Sequence, residues 1–472
     1  MPIDALEARS PGWWLQRLIM RLADRQARFD RLDDYYTGEA SVPVSSTKAV
    51  RQAYQRLMRL AGTNFAELVV EAVRERMVVT GFRTGADSDD LGDAEAWRIW
   101  QANSLDADAL LVHRSSLALS EGYVIVGGPD PDIGAPVITP EDPREVYVEH
   151  DPVRRRRPVA AVKVFIDDVD NVQRAYLYLP GMVLRAARDK PAVGATSVDW
   201  SGWEWDGGEA LPAPVVPVVA FPNRATLVDR QDGQGRAWGE FEPHIAILDR
   251  INYTILNRLE IATLQAFRQR AVKGVPTHDT EGNEIDYDDI FAADPGALWL
   301  MPETASLWES GVVDLNPIRQ AIRDDVQDLA AVTRTPLFYL TPDATNGSAE
   351  GASLAREGLV FKTADRIVAA SEAWEQVMAL AFLFAGDEER ARRGDMEALW
   401  ASPERFSLAE RYDAASKAKA AGVPWRTVMR DVLQFSPQQV DRMEADRATD
   451  AFLAAALTPQ AAAPSQFEET EA

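Results

Sequence analysis

The chain has 472 residues, with 50 Lys+Arg against 74 Asp+Glu, a formal net charge of -24 and no cysteine. Without thiols there are no disulfides, thiolate nucleophiles, Fe–S clusters or Cys-containing zinc sites, and His113, His150, His244 and His278 show no metal-ligand spacing. So acidic a chain is poorly suited to wrapping nucleic acid through many Lys/Arg–phosphate pairs, although a polyanion can still pass it transiently.

The length predicts two to four domains. Pro2 to Ser10 is polar and lacks signal-peptide features. The longest apolar stretch, Ala369 to Gly386, is interrupted by Glu372, Glu375 and Gln376, so a soluble protein without a membrane partner is expected.

Trp13 to Tyr36 reads as an amphipathic helix with Trp14, Leu18, Leu22 and Phe29 on one face. Its basic and aromatic residues would also suit a membrane surface, but Asp24, Asp30, Asp33 and Asp34 favour packing on its own protein. Gly38 ends it. Helices follow over Asn64 to Met77, Asp93 to Asn103 and Asp106 to Ser120, with short strands at Val78 to Phe82 and Tyr123 to Val126.

The period then changes. Glu145 to Glu149, Val159 to Ile166 and Arg174 to Leu179 read as strands joined by polar turns. Leu211 to Phe221 carries Pro212, Pro214 and Pro217, as an edge or crossing segment would. Pro243 to Arg270 restores helical spacing with two apolar faces, a helix about 40 Å long that needs neighbours on both sides.

Asp294 to Leu300 and Ala305 to Trp308 read as β or turn, and Pro317 to Val332 as helix carrying Ile318, Ile322, Val326 and Leu329. Thr335 to Ser353 is a long Pro/Gly/Thr/Ser loop, uncommon in a compact protein unless it has a function. A very long helix follows, burying Leu359, Ile367, Trp374, Met378 and Phe382. Pro403, Pro424 and Pro437 then divide short helical pieces, and Ala461 to Ala472 is expected to be disordered and acidic.

Sites for catalysis are scarce. The chain has no phosphate-binding loop and no nucleophile elbow. Gly233, Gly235 and Gly239 have the wrong spacing for a dinucleotide fingerprint and read as a turn. Asp167, Asp168 and Asp170 could hold a cation for hydrolysis, but their place between strands favours a solvated turn. Asp324, Asp325 and Asp328 similarly read as a solvated helix side.

Arg154, Arg155, Arg156 and Arg157 form the strongest basic run, able to touch phosphate or an acidic partner; a charged loop tip at a subunit boundary explains them equally well. Arg268, Arg270 and Lys273 complement a helix C-terminus or steer a passing phosphate backbone. The thirteen tryptophans are read as core and interface packing rather than base-stacking platforms.

Several segments, taken in order, resemble the portal proteins of tailed bacteriophages, particularly those of actinobacteriophages. They are FDRLDDYYTGE (29–39), NFAELVVEAVRERMVVTGFR (64–83), LVHRSSLALSEGYVIVG (111–127) and DRINYTILNRLEIATLQAFRQRAVKG (249–274). PGALWLMP (295–302), DDVQDLAAVTRTPLFYL (324–340) and NGSAEGASLAREGLVFKTADR (346–366) complete the set.

The resemblance implies an α+β, mainly helical portal fold with long stem and wing helices and a β-rich clip, assembled as a dodecameric ring. It implies an N-terminal wing region (1–144), a β-rich clip (145–235), a stem helix (236–272) and a further wing region (273–340). A tunnel loop (341–351), a long helix (352–384), a crown (385–460) and a disordered acidic tail (461–472) follow.

The tunnel loop would place Thr341, Thr345, Asn346, Gly347, Ser348 and Gly351 nearest the DNA. Arg268, Arg270 and Lys273 would belong to the stem, and Arg154 to Arg157 would be clip or partner contacts. The implied function is the DNA channel at the unique capsid vertex, used in packaging and ejection, with no enzymatic activity and no cofactor. The implied partners are double-stranded DNA, the terminase large subunit, a head-completion or adaptor protein, and the major capsid and scaffolding proteins. The location would be the virion, after assembly in the host cytoplasm.

Twelve helices side by side, each about 10 Å across, leave a bore near 28 Å, wide enough for a duplex of about 20 Å. Twelve copies at -24 sum to about -288, and an acidic wall would keep DNA from becoming trapped. A ring-forming adaptor or scaffold without a DNA role is the alternative, and a metal-dependent hydrolase built on Asp167, Asp168 and Asp170 is a more distant one.

Overall fold

A computed structural model describes residues 3–5, 7–40, 59–86, 92–191, 200–227, 236–266, 270–278, 281–285, 305–309, 311–341, 349–404 and 408–457. The elements are α1 (Pro11–Thr37), α2 (Phe65–Arg74), β1 (Val79–Arg83), α3 (Ala94–Ala102), α4 (Leu105–Leu119), β2 (Glu121–Asp130) and β3 (Ala135–Glu141). Next come β4 (Val146–His150), β5 (Pro158–Asp167), β6 (Val172–Leu179), β7 (Met182–Asp189), β8 (Glu204–Ala210) and β9 (Val218–Pro222). They are followed by α5 (Ile245–Ala266), β10 (Arg270–Lys273), β11 (Ser306–Glu309), α6 (Asn316–Thr333) and α7 (Leu337–Leu340). The last are α8 (Ala349–Ala385), β12 (Glu397–Trp400), α9 (Leu408–Ala420) and α10 (Pro437–Leu457). The fold is α+β, mostly helical with a β-rich region.

The chain divides into two units, Met1–Gly38 with Asn64–His244 and Ala330–Ala472, and Glu39–Thr63 with Ile245–Leu329. In the larger unit α1 starts where the Ser10 side chain accepts from the Trp13 N–H at 3.2 Å, with Pro11 in the first turn, and stops at Gly38 with φ 79°. Its buried stripe is Leu15, Leu18, Ile19, Leu22, Phe29 and Leu32. Trp14, expected on that face, is only half-buried.

This stripe covers one face of the antiparallel sheet β4-β5-β6-β7-β8, against Ala160, Val162, Val164, Ala175, Leu177 and Ala186. The other face, with Val146, Val148, Ala161, Tyr178 and Val183, packs against Tyr123, Ile125 and Val218 of the sheet β3-β2-β9. Ala160, Ala161 and Val162 are all fully buried, since a strand covered on both sides has no polar alternation to display. The proline-rich segment ends in β9 at a sheet edge. β3, not foreseen, is the opposite edge and tolerates Pro136 and Pro140 there.

Helix α8 runs across β2, β3, β9 and β12. Trp374 sits 4.9 Å from Trp100 and 4.8 Å from Phe221, ring centre to ring centre. The stretch Arg356–Ala385 is long and apolar enough by composition to cross a bilayer, but Trp374, Val377, Met378, Ala381 and Phe382 are core residues here. β12 pairs antiparallel with β1, so the start of the expected crown is joined to the N-terminal region by hydrogen bonds. A separate small core, Ala415, Val428 and Leu433, gathers α9 and the turns after it.

In the smaller unit, α5 begins at Ile245 after a 3-10 turn and ends at Ala266, not at Arg270. Ile245, Leu248, Ile251, Ile255 and Leu256 are buried, whereas Ala262 and Thr263 are exposed. Helix α6 runs antiparallel to α5. Arg250 Nε lies 2.8 Å from Asp325 and its NH2 donates to Asp328 at 3.0 Å, while Gln265 Nε2 donates to the Val313 carbonyl at 3.2 Å. Asp325 and Asp328 are therefore partners of Arg250, which their spacing alone did not reveal. Beyond the end of α5, β10 and β11 form an antiparallel ribbon, Arg270 opposite Glu309 and Lys273 opposite Ser306.

Candidate functional site

The loop-then-helix unit falls between α7 and α8. Thr341 closes α7, its N–H donating to the Leu337 carbonyl at 2.7 Å. Thr345, Asn346, Gly347 and Ser348 lie outside the described residues, and Gly351 lies in the first turn of α8, which begins at Ala349. Farther along α8, Glu357, Phe361, Asp365 and Val368 form an exposed stripe at three- and four-residue spacing. Phe361 is 64% and Val368 67% exposed.

The opposite side of the same helix holds a buried ionic cluster that sequence reasoning missed. Glu240 accepts from Arg366 Nε at 2.6 Å and from Asn223 Nδ2 at 3.1 Å, and Lys362 Nζ lies 3.7 Å away. Lys362 also donates to the Thr333 carbonyl at 2.7 Å. Burial pushes the Glu240 carboxyl up, but Lys362 and Arg366 outweigh it and hold it below the usual range. Burial lowers Lys362 to about 8 against the pull of Glu240. The available signal was that Lys362 and Arg366 share the helix face of Leu359.

The segment before α5 is held just as firmly. Arg28 clamps Glu242 with two bonds of 2.8 and 2.7 Å and donates to the Ala237 carbonyl at 2.7 Å. A side chain on Gly239 would lie 2.7 Å from the Ala118 carbonyl oxygen, so this glycine serves close backbone approach to α4. It sits in the connection between β9 and α5.

Of the basic residues, Arg268 lies outside the described residues, while Arg270 and Lys273 sit in β10. Arg154 to Arg157 form the turn between β4 and β5, beside Glu372 of α8 and Arg393. Asp167 and Asp170 both pair with Arg174, and Asp168 pairs with Lys190 at 2.5 Å. Asp167 also accepts from the backbone N–H groups of Val169 and Asp170. This is a solvated turn closed by its own cations, and among the described residues no group of three or more potential metal ligands converges.

A match to the family described as "Phage portal protein, SPP1 Gp6-like" spans residues 15–451. The portal protein of Mycobacterium phage D29 is 30% identical over 430 residues, covering 88% of this chain and 84% of its own length. That of Mycobacterium phage L5 is 27% identical over 434 residues, with coverage of 88% and 84%. Among solved structures, a chain of the virion of a native gene transfer agent particle is 13% identical with a TM-score of 0.40. A chain from the neck of an empty particle of that agent, computed with C6 symmetry, is 15% identical with a TM-score of 0.43. Each of these two matches covers 86% of this chain and 98% of the other.

Proposed function

The chain belongs to the SPP1 Gp6-like phage portal proteins, structural and non-catalytic proteins of the viral capsid, and from that premise we propose that twelve copies close into a ring around the path of double-stranded DNA. The observation that carries this reading is the two-helix arm of the smaller unit. The apolar pattern of α5 continues past its buried first half, and Tyr253, Val312 and Val313 are 50%, 76% and 49% exposed. Apolar surface left bare by one chain is what a neighbouring copy would cover.

The stem is then α5 backed by α6, repeated around an opening near 28 Å, against about 20 Å for the duplex. Residues 341–351 would be the tunnel loop touching DNA, with Gly347 letting the loop adjust to a moving helix of different symmetry and Gly351 standing where the loop passes into the first turn of α8. Gly347→Pro with Gly351→Pro should impair packaging while rings still assemble, and normal DNA filling would refute this.

We assign docking of the terminase large subunit, and later of a head-completion or adaptor protein, to the ribbon β10–β11. It lies at the end of two antiparallel helices and offers the exposed Lys273, with Leu307 at 42% and Trp308 at 54% exposure. The β-rich region 145–235, first expected to be the clip, suits that role less. Its sheet shares cores with α1 on one face and β2 on the other, making it one body with the expected wing.

Negative-stain imaging of the purified chain tests the central claim. Class averages with rotational order and a central opening are expected. A compact monomer at high concentration, or a ring plugged in every state, would refute it.

A further inference from the structure

The Arg154–Arg157 turn is built rather than loose. Asp151 Oδ1 accepts from the backbone N–H groups of Val153 and Arg154 at 2.8 and 3.0 Å. The Arg157 N–H donates to the Arg154 carbonyl at 2.7 Å, and Asp151 N–H donates to the Arg157 carbonyl at 2.9 Å. Four successive guanidinium groups are thereby presented on a short, hydrogen-bonded loop. With Val153 and Arg393 they line an open concavity of about 620 Å³.

Two of the five arginines share one acid. Arg156 NH1 lies 2.6 Å and Arg393 NH2 2.8 Å from Glu372 Oε2. Arg155 donates to the Leu227 carbonyl. Among the described residues Arg154 and Arg157 make no ion pair within 4 Å, although the Asp151 carboxylate in the same turn is stabilised by both charges. The concavity is thus strongly cationic on a chain of net charge -24. Screening limits the rest of the chain's repulsion to about 10 Å at 0.1 M salt, so the local charge governs what touches the turn.

The chemistry of the lining decides between polyanions. A protein partner usually needs a buried aromatic or aliphatic anchor at the centre of the contact. Among the described residues the apolar side chains here are Val153 in the lining and Leu227 beside Arg155, 88% and 80% exposed, and neither forms a buried anchor. Forked guanidinium groups without an anchor suit repeated phosphates, whose affinity comes from charge neutralisation and bidentate bonding. We propose that the Arg154–Arg157 turn, with Arg393, is a contact site for the phosphodiester backbone of duplex DNA. Glu372 competes with phosphate for Arg156 and Arg393. The site does not depend on the channel reading above.

The test is fluorescence anisotropy of a labelled 30-bp duplex with the full chain between 50 and 200 mM salt. Wild-type protein should bind with a log–log salt slope near -4, for about four to five neutralised phosphates. Arg154→Ala with Arg157→Ala should weaken binding by about tenfold and reduce the slope by about two. These exposed side chains do not build the turn, so an unchanged thermal midpoint is expected for that variant. Glu372→Gln should bind more tightly. Equal affinity and slope in the double variant, weaker binding by Glu372→Gln, or polyglutamate competing as well as DNA would each overturn the proposal. Rings that translocate DNA with an inert arginine turn would do so too, while leaving the channel reading intact.

Discussion

The Lys362 ammonium lies 3.7 Å from the Glu240 carboxylate, with the two side chains only 5% and 2% exposed. Arg366, one helical turn farther along α8, donates to the same carboxylate. Glu240 therefore pairs with the buried Lys362 and the half-buried Arg366, and the segment leading into α5 is joined to the longest helix of the protein through charge.

Glu240→Gln keeps the shape and removes that neutralisation. The buried Lys362 would lose its carboxylate while Arg366 keeps only the exposed Asp365 at 3.6 Å, a loss of about 3–5 kcal/mol for a broken buried pair. Urea unfolding followed by tryptophan fluorescence should show a clearly lower midpoint. A shift smaller than that of a surface Glu→Gln control would contradict this account.

Lys362 also imposes a pH dependence. It titrates at about 8 in the fold, against its ordinary 10.5. Between those values the unfolded chain binds more protons than the folded one, so this group's contribution to stability rises with pH across that window. Lys362→Met should flatten the rise between pH 8 and 10.5, measured as the urea midpoint against pH. The same slope in both proteins would refute the assignment.

His113 gives the complementary signal on the acid side. Its Nε2 accepts from Trp374 Nε1 at 2.9 Å, and burial lowers the ring from 6.5 to about 3. The unfolded chain is protonated first as pH falls below 6.5, so stability is lost from there down to about 3, near 1.4 kcal/mol per unit of displacement. His113→Gln retains an acceptor for Trp374 and removes the titration. Its midpoint should fall less steeply between pH 6.5 and 4 than that of wild type.

The exposed stripe of α8 predicts an assembly defect. Phe361→Asp with Val368→Asp alters side chains that are 64% and 67% exposed, so each chain should fold with a near-normal midpoint. If copies of the protein cover that stripe, ring formation should fall at least tenfold by size-exclusion chromatography with light scattering. Undiminished rings would place the subunit contact elsewhere.

How much was readable in advance varied with the physics involved. α1 was legible because Ser10–Pro11, a repeating apolar stripe and Gly38 mark its start, face and end. α6 and α8 were legible for similar reasons, to within a few residues at each end. β7 was not, because Arg185 and Arg188 break its alternation, and it is a strand only by pairing with β6 and β8. α5 ends at Ala266, short of the Arg270 that its apolar spacing predicts, because residues 270–273 pair with residues 306–309. Glu240 gave no local signal whatever.

Alone, the amino-acid sequence determined the acidic character, the absence of thiol chemistry, the main helices and the family, since these depend on composition and on patterns between near neighbours. Tertiary structure decided that the β-rich region shares its core with α1, that Asp325 and Asp328 pair with Arg250, and that Arg156 and Arg393 meet on Glu372. Those facts join residues tens to hundreds of positions apart. Desolvation and charge pairing depend on distance in space, which no local pattern encodes.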